Sequence, residues 1–463
     1  MSRSLLKLLQ NPQGHAPAVF CFLSLLFGSC YALWLPPLRV PDEAGHFRRA
    51  YTVSTGHCLA TPAILTGADW NKLDASPWEE MPNANAKSLA ALVNTPGYSY
   101  DRVGMYAVQP LYSCVPYLAS GAGIAVARAA RLSMLRWMYA GRIANLISYS
   151  LLVALAVYLL PEFQSLLMAL ALMPMALHQA ASLSADCLQI ASVFLFTAYV
   201  LRLALDGGIA PLVPKQKGAL LAGLAAVSLI KSNGILSALI LLIPGRKFRT
   251  RSQRLLFAAL WFAISGAMVL GWARLNRSNQ EICEAIRAAN GIHMAANARI
   301  VLEHPGLFLG AFARTLWRMR FEYPQEFVGK FGWLELPVPP WVVVGYLALL
   351  LCCVLGLQSR NRFTIWDRVT LVGLGAAYFI SLGVVVWTFE VTQSYYSGRI
   401  LEGTGYVEGV QGRYLVGMAF PFLIGLSQPL LRLDPRHLSL TVMAGCIVFN
   451  LAALLTLRTA FPS

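Results

Sequence analysis

Long apolar runs alternate with short polar breaks along almost the whole chain. The runs at about 16–36, 142–160, 165–182, 187–205, 255–272, 341–357, 369–387, 414–431 and 438–457 approach the ~20 residues that a membrane-crossing helix needs. Two shorter runs, about 218–230 and 234–244, flank Lys231-Ser232-Asn233. Together they predict an all-α, polytopic membrane protein of about eleven spans, with residues 1–463 forming a single transmembrane domain. The first run follows Arg3 and Lys7 and lacks a small-residue cleavage site, so it reads as an uncleaved signal-anchor with the N-terminus in the cytoplasm.

The polar breaks set the topology. Arg246, Lys247, Arg249, Arg251 and Arg254 form one basic block, and Arg360, Arg362 and Arg368 form another, so both loops are expected in the cytoplasm. Three long loops, about 37–141, 274–340 and 390–413, then fall outside. The first contains a weakly apolar piece, Met105 to Gly141, interrupted by Gln109, Pro110 and Pro116. If that piece lies in the interface as amphipathic helices, then Asp42, Asp186, Lys231, Glu335 and Arg413 all reach the outer side. If it crosses, Asp186 moves inside and Lys231 is buried mid-span, at a cost of roughly 3 kcal/mol. The interfacial arrangement is therefore expected, with the C-terminus outside.

Composition agrees: 57% of the 463 residues are hydrophobic and only 13% charged, more apolar surface than a soluble core absorbs. The net charge of +16 resides mostly in Lys and Arg between spans, which fits anionic lipid and argues against a nucleic-acid partner. Most of the nine cysteines lie in or beside apolar runs as small hydrophobes. Cys58, Cys114 and Cys283 fall in the outer loops and leave room for one disulfide; no spacing resembles a metal or redox motif. His46 and His57 are not at ligand spacing, so no metal is assigned, although a divalent ion remains compatible with the chemistry.

The chemistry-bearing candidates gather at the predicted outer loop edges. Asp42 and Glu43 are adjacent carboxylates where the first span ends, a costly arrangement unless water or a cation faces them. Arg48, Arg49, Arg142, Lys231, Arg399 and Arg413 are candidate anion ligands. Lys231 stands out because a lysine between two short apolar runs is expensive without an anionic partner, and Arg413 because it opens a span on the side that basic residues avoid. Trp333 belongs to an aromatic belt or stacks on a sugar ring. Arg314, Arg318 and Arg320 lie in an amphipathic stretch suited to lipid headgroups.

Several of these residues fall in local patterns: Pro41-Asp42-Glu43 with His46-Phe47 and Arg49-Ala50, Gly141-Arg142 with Asn145-Leu146, Leu172-Met173-Pro174-Met175 with Ser182, Ser184 and Asp186, Gly329-Lys330-Phe331-Gly332-Trp333-Leu334-Glu335 with Pro337, and Gln411-Gly412-Arg413-Tyr414. In this order they resemble family 2142 of domains of unknown function, predicted bacterial membrane proteins, over nearly the whole chain. The resemblance implies a GT-C-like glycosyltransferase fold in the bacterial inner membrane, with the active site facing the periplasm. It implies a polyprenyl-phosphate sugar as donor and a cell-envelope glycan, such as O-antigen, lipopolysaccharide or cell-wall polysaccharide, as acceptor. Asp42 and Glu43 match the position of the general base in the first outer loop, and Asp186 that of a second acid. His46, Arg49, Arg142, Lys231, Trp333, Glu335, Gln411 and Arg413 are the corresponding substrate-binding candidates. Ala44 stands where proline is expected and Glu335 where aspartate is expected. Read from the residues themselves, transfer from such a donor needs a base, cations for the leaving phosphate and a groove for the lipid tail, and no Gly-rich nucleotide-binding turn appears. A transporter or flippase of lipid-linked glycans, and a ligase or polymerase of lipid-linked polysaccharide, are the competing readings.

Overall fold

The computed structural model describes residues 14–60, 109–231, 234–356, 363–428, 430–431 and 433–461. Most of the predicted first outer loop, including Trp70 and Trp78, lies outside the described residues, as do Arg3, Lys7, Met105, Ser232, Asn233, Arg360 and Arg362.

The described chain is helical. The first half comprises α1 (Ala16–Trp34), α2 (Glu43–Ser54), α3 (Leu118–Ala129), α4 (Met134–Leu159), α5 (Gln164–Ala171), α6 (Pro174–Ala180), α7 (Asp186–Leu205) and α8 (Pro214–Ile230). The second half comprises α9 (Arg251–Leu275), α10 (Arg277–Ala289), α11 (Met294–Glu303), α12 (Pro305–Arg318), α13 (Glu322–Val328), α14 (Pro340–Gly356), α15 (Ile365–Glu390), α16 (Val416–Leu426) and α17 (Pro435–Ala460). Between α13 and α14 the short strands β1 (Lys330–Phe331) and β2 (Leu336–Pro337) pair antiparallel.

Among the described residues six helices, α1, α4, α7, α9, α15 and α17, are long and apolar enough to cross a membrane, and a bent pair raises this to as many as seven. The expected spans at 218–230, 341–357 and 414–431 appear as the shorter helices α8, α14 and α16. The run at 234–244 winds as a 3-10 helix, Gly234–Leu242. Of the stretch from Met105 to Gly141, the described part holds two 3-10 turns, the 12-residue α3 and the first turns of α4. At 1.5 Å per residue α3 is only about 18 Å long, shorter than the ~30 Å hydrocarbon core of a bilayer.

The expected continuous span at 165–182 is broken. Pro161–Ala171 and Pro174–Ala180 meet at 78°, because Pro174 has no N–H to donate back and disfavours helical geometry at Met173. Every residue of α5 and α6 is buried, which makes this bent pair the centre of the bundle. Carbonyls near and at the break are bonded by side chains from three neighbours: Tyr346 Oη to Ala169 O at 2.7 Å, Tyr149 Oη to Ala171 O at 2.8 Å and Asn450 Nδ2 to Leu172 O at 2.8 Å. Such replacement partners are what let a broken helix persist inside a bilayer. By contrast α9 buries little beyond Trp261, Ser265 and Trp272 and turns Leu255, Leu256 and Leu270 outward, the pattern of a lipid-facing helix.

Helix α4 packs on α1, α3 and α7, while α7 packs on α8 and α16. Helices α11 and α12 pack on α15 around a separate apolar cluster, in which Asn297 Nδ2 donates to Val391 O at 2.7 Å.

Candidate functional site

At one end of the bundle, Arg142 of α4 meets Glu43 of α2. Arg142 Nε donates to Glu43 Oε1 at 2.8 Å and Nη2 to Oε2 at 2.5 Å. Nη1 donates to Ala32 O and Leu35 O at 2.9 and 2.8 Å, and Nη2 to Pro36 O at 3.1 Å. A guanidinium has five N–H donors, and here each has an acceptor. The cation thereby satisfies carbonyls at and just beyond the C-terminal end of α1, where a positive charge is favourable, while Glu43 sits in the first turn of α2, where a negative one is. Glu43 also accepts from Leu38 N at 2.9 Å and is fully buried. Neither side chain has capacity left for a ligand, so the pair positions its surroundings.

What it positions is Asp42. This residue caps α2 in the left-handed conformation, φ 61°, with its side chain exposed and making no capping bond. Leu38, four residues earlier, is also left-handed at φ 65°. For non-glycine residues such geometry costs about 1 kcal/mol or more and persists where the surroundings enforce it. Here the enforcement comes from Glu43 through Leu38 N, and from Trp333, whose Nε1 donates to Leu38 O at 3.2 Å. Trp333 and Glu335 lie in the β1–β2 turn, where Gly332 and Leu334 are left-handed as well, and Glu335 pairs with Arg39 at 3.6 Å. Both therefore brace the Asp42 segment from behind.

His46, one turn into α2, is buried against Tyr117, with Nδ1 2.8 Å from the phenol oxygen. Burial pushes its imidazole down to about 3, against the pull of Asp186, and Lys231 and Arg413 add to the depression. It is neutral at physiological pH. Arg49 is fully buried, donates to Cys58 O and to Tyr112 O, and keeps Nε and Nη1 without a partner. A Cys58–Cys114 disulfide ties the chain after α2 to the turn carrying Tyr112 and Tyr117, and Cys283 stays free.

Asp186 opens α7 and Lys231 follows the last residue of α8, an anion at a helix N-terminus and a cation at a C-terminus. They form a salt bridge. Ser184 Oγ also donates to Asp186 Oδ2 at 3.3 Å. The Lys231 ammonium lies 5.2 Å from the Tyr414 ring centre and 5.8 Å from that of Tyr112. Arg413 stacks on Tyr414 at 5.2 Å, donates through Nε to Gln411 Oε1 at 2.6 Å, and leaves a buried Nη1 unpartnered. The charges of both Asp186 and Asp42 act on Arg413. The Arg413 turn is anchored by Glu326, whose Oε2 accepts from Gly412 N at 2.6 Å. A Cβ at Gly412 would come within 2.3 Å of Tyr323 O, so only glycine allows this approach.

The site therefore brings Asp42, Asp186, His46, Lys231, Gln411 and Arg413 together, with Glu43, Arg142, Trp333 and Glu335 in supporting positions. Arg399 is exposed on the π-helical turn 396–400. Tyr112, Tyr117 and Glu326 escaped the sequence reading; Tyr414 figured in it only as the neighbour of Arg413. Among the described residues no group of three His, Cys, Asp or Glu side chains is placed to hold a metal ion. Chemically, the arrangement offers an uncommitted carboxylate beside cations and phenols, suited to accepting a proton next to an anionic oxygen.

A family model for predicted membrane proteins, DUF2142, matches residues 25–422. The chain belongs to this family. The match spans every site residue from Asp42 to Tyr414, so the whole cluster lies inside it. No curated protein and no solved structure matches the chain significantly.

Proposed function

We propose that this protein is a membrane glycosyltransferase of GT-C-like architecture. It transfers a sugar from a polyprenyl-phosphate donor to a cell-envelope glycan. The observation that carries this reading is the Asp42 carboxylate, held in left-handed geometry, left free and acting electrostatically on Arg413, whose own Nη1 is buried and unpartnered. Asp42 takes the proton of the acceptor hydroxyl as that oxygen attacks the anomeric carbon. The bond from that carbon to the donor phosphate breaks, and Arg413 and Lys231 face the departing phosphate. Asp186 holds Lys231 in place, and His46, neutral, packs against Tyr117. The test is transfer by the purified protein from a polyprenyl-phosphate sugar, alongside intact-glycan mass analysis of a strain lacking it.

The Cys58–Cys114 disulfide supports an outward-facing site, since such bonds persist in oxidising compartments. At the opposite end of the bundle lies the basic block, where Lys247 pairs with Asp206, and its excess of positive charge fits a cytoplasmic face. In this reading the shorter helices α8, α14 and α16, the 3-10 segment and the bent pair complete about eleven crossings. In a background otherwise free of reactive cysteines, an impermeant thiol reagent is expected to label a cysteine at position 42, 186 or 335 from outside. Labelling of position 186 only after permeabilisation would remove Asp186 and Lys231 from the outer site.

Arg413→Ala is expected to lower kcat/KM at limiting donor by roughly 10- to 150-fold, the worth of a charged hydrogen bond, while acceptor dependence stays near normal. Lys231→Ala is expected to act in the same direction and also to leave Asp186 buried without its partner, so the Asp186→Asn, Lys231→Ala double variant should regain folded yield without regaining donor use. Unchanged donor kinetics in folded Arg413→Ala protein would return Arg413 to a purely structural role.

A further inference from the structure

An apolar cavity of about 650 Å³ lies among α13, α14, α15 and α16. Leu351 of α14, Ala376 and Phe379 of α15, and Ala419 and Leu426 of α16 line it. It follows α16 from Leu415, two residues beyond Arg413, to Leu426 at the far end, about 16 Å of helix. Helices α14 and α15 both pack on α16, and the cavity is the cleft left between them. Its volume falls within the range of ligand pockets.

Two polar groups without partners belong to residues at or next to the site end of this cleft. Tyr323 lines it and its phenol oxygen is buried and unbonded, while the Tyr323 backbone abuts Gly412. The neighbouring Arg413 contributes the unpartnered Nη1. Buried donors without acceptors are costly, and a phenol left so in the wall of an apolar channel, with a second orphan donor on the adjoining Arg413 turn, has a place for an oxyanion joined to a hydrocarbon chain. Small residues, Gly375, Ala376 and Ala419, alternate with Phe379 and Phe422 along the walls, which gives a wide, corrugated channel suited to a methyl-branched chain.

We infer that this cleft holds the isoprenoid chain of the lipid donor, with Tyr323 and Arg413 binding its phosphate. This rests on the reading of Arg413 as a donor ligand. It adds a lateral route by which the lipid enters from the bilayer, and it makes Tyr323 a phosphate-binding residue.

The test is equilibrium binding of sugar-free polyprenyl phosphate, long-chain and two-isoprene forms, to the full-length protein in nanodiscs. Ala419→Trp, which fills the cleft, is expected to weaken long-chain binding at least about tenfold and leave the short form unchanged. Tyr323→Phe is expected to weaken both forms alike by several-fold. Ala376→Leu serves as a milder filling variant should Ala419→Trp fail to fold. Unchanged long-chain binding in a folded filling variant would overturn the inference, as would equal displacement of the probe by phosphatidylglycerol, which would make the cleft a general lipid site. Because the probe carries no sugar, binding that follows these expectations in a protein without transferase activity would sink the proposed reaction and leave the lipid site standing. Normal transfer by a filling variant with unimpaired long-chain binding would do the reverse.

Discussion

Asp42→Asn is expected to reduce sugar transfer by roughly 10²- to 10⁴-fold, the usual contribution of a general base, with little change in folded yield. The carboxylate is exposed and makes no capping bond, so the amide removes basicity without removing a structural contact. Asparagine also tolerates the left-handed φ of 61° that this position adopts, which an alanine does not share. The comparison with Asp42→Ala therefore separates chemistry from backbone strain: both lose activity, and only the alanine variant loses stability as well. Near-normal turnover by purified Asp42→Asn would remove Asp42 as the base. Asp186 would be the remaining carboxylate of the cluster not engaged by Arg142.

Arg142→Ala is expected to destabilise the fold by about 3–5 kcal/mol, because it strands Glu43 as an uncompensated buried charge. Three carbonyls at and beyond the end of α1 lose their donor at the same time. The paired variant Glu43→Leu, Arg142→Met removes both charges and should recover much of that loss, since a buried ion pair contributes little beyond an apolar pair of similar volume. Recovery stays incomplete, as the three carbonyls remain unbonded at a cost of about 1 kcal/mol or more each. Thermal unfolding of the purified single and paired variants provides the measurement. A single variant as stable as the parent protein would mean that the buried pair does not hold this end of the bundle together. Activity in the paired variant should remain low even where stability returns, because Leu38 N loses the carboxylate that helps to fix the Asp42 segment.

The helices, and the end of the bundle where the candidate residues gather, were legible in the sequence. Hydropathy is a local property, so each apolar run has a helical counterpart, and Asp42, Asp186, Lys231 and Arg413 at the edges of those runs did converge. Pairing was less accessible. Arg142 read as one anion ligand among several, and its commitment to Glu43 depends on a partner 99 residues away and on backbone carbonyls that leave no trace in a residue pattern. The run at 165–182 read as a continuous span because hydropathy does not register the N–H that Pro174 lacks, nor the side chains of Tyr149, Tyr346 and Asn450 that make a break tolerable there.

The sequence by itself determined that the chain is a helical membrane protein of its family, because transfer of apolar side chains from water to lipid is decided residue by residue. The tertiary structure decided which charges are consumed and which are left free. Glu43 and Arg142 neutralise each other, Asp186 holds Lys231, and Asp42 and one arm of Arg413 remain available. That outcome depends on distances between separate helices in a medium without water, where every buried donor and acceptor must find its partner in the fold or in a ligand.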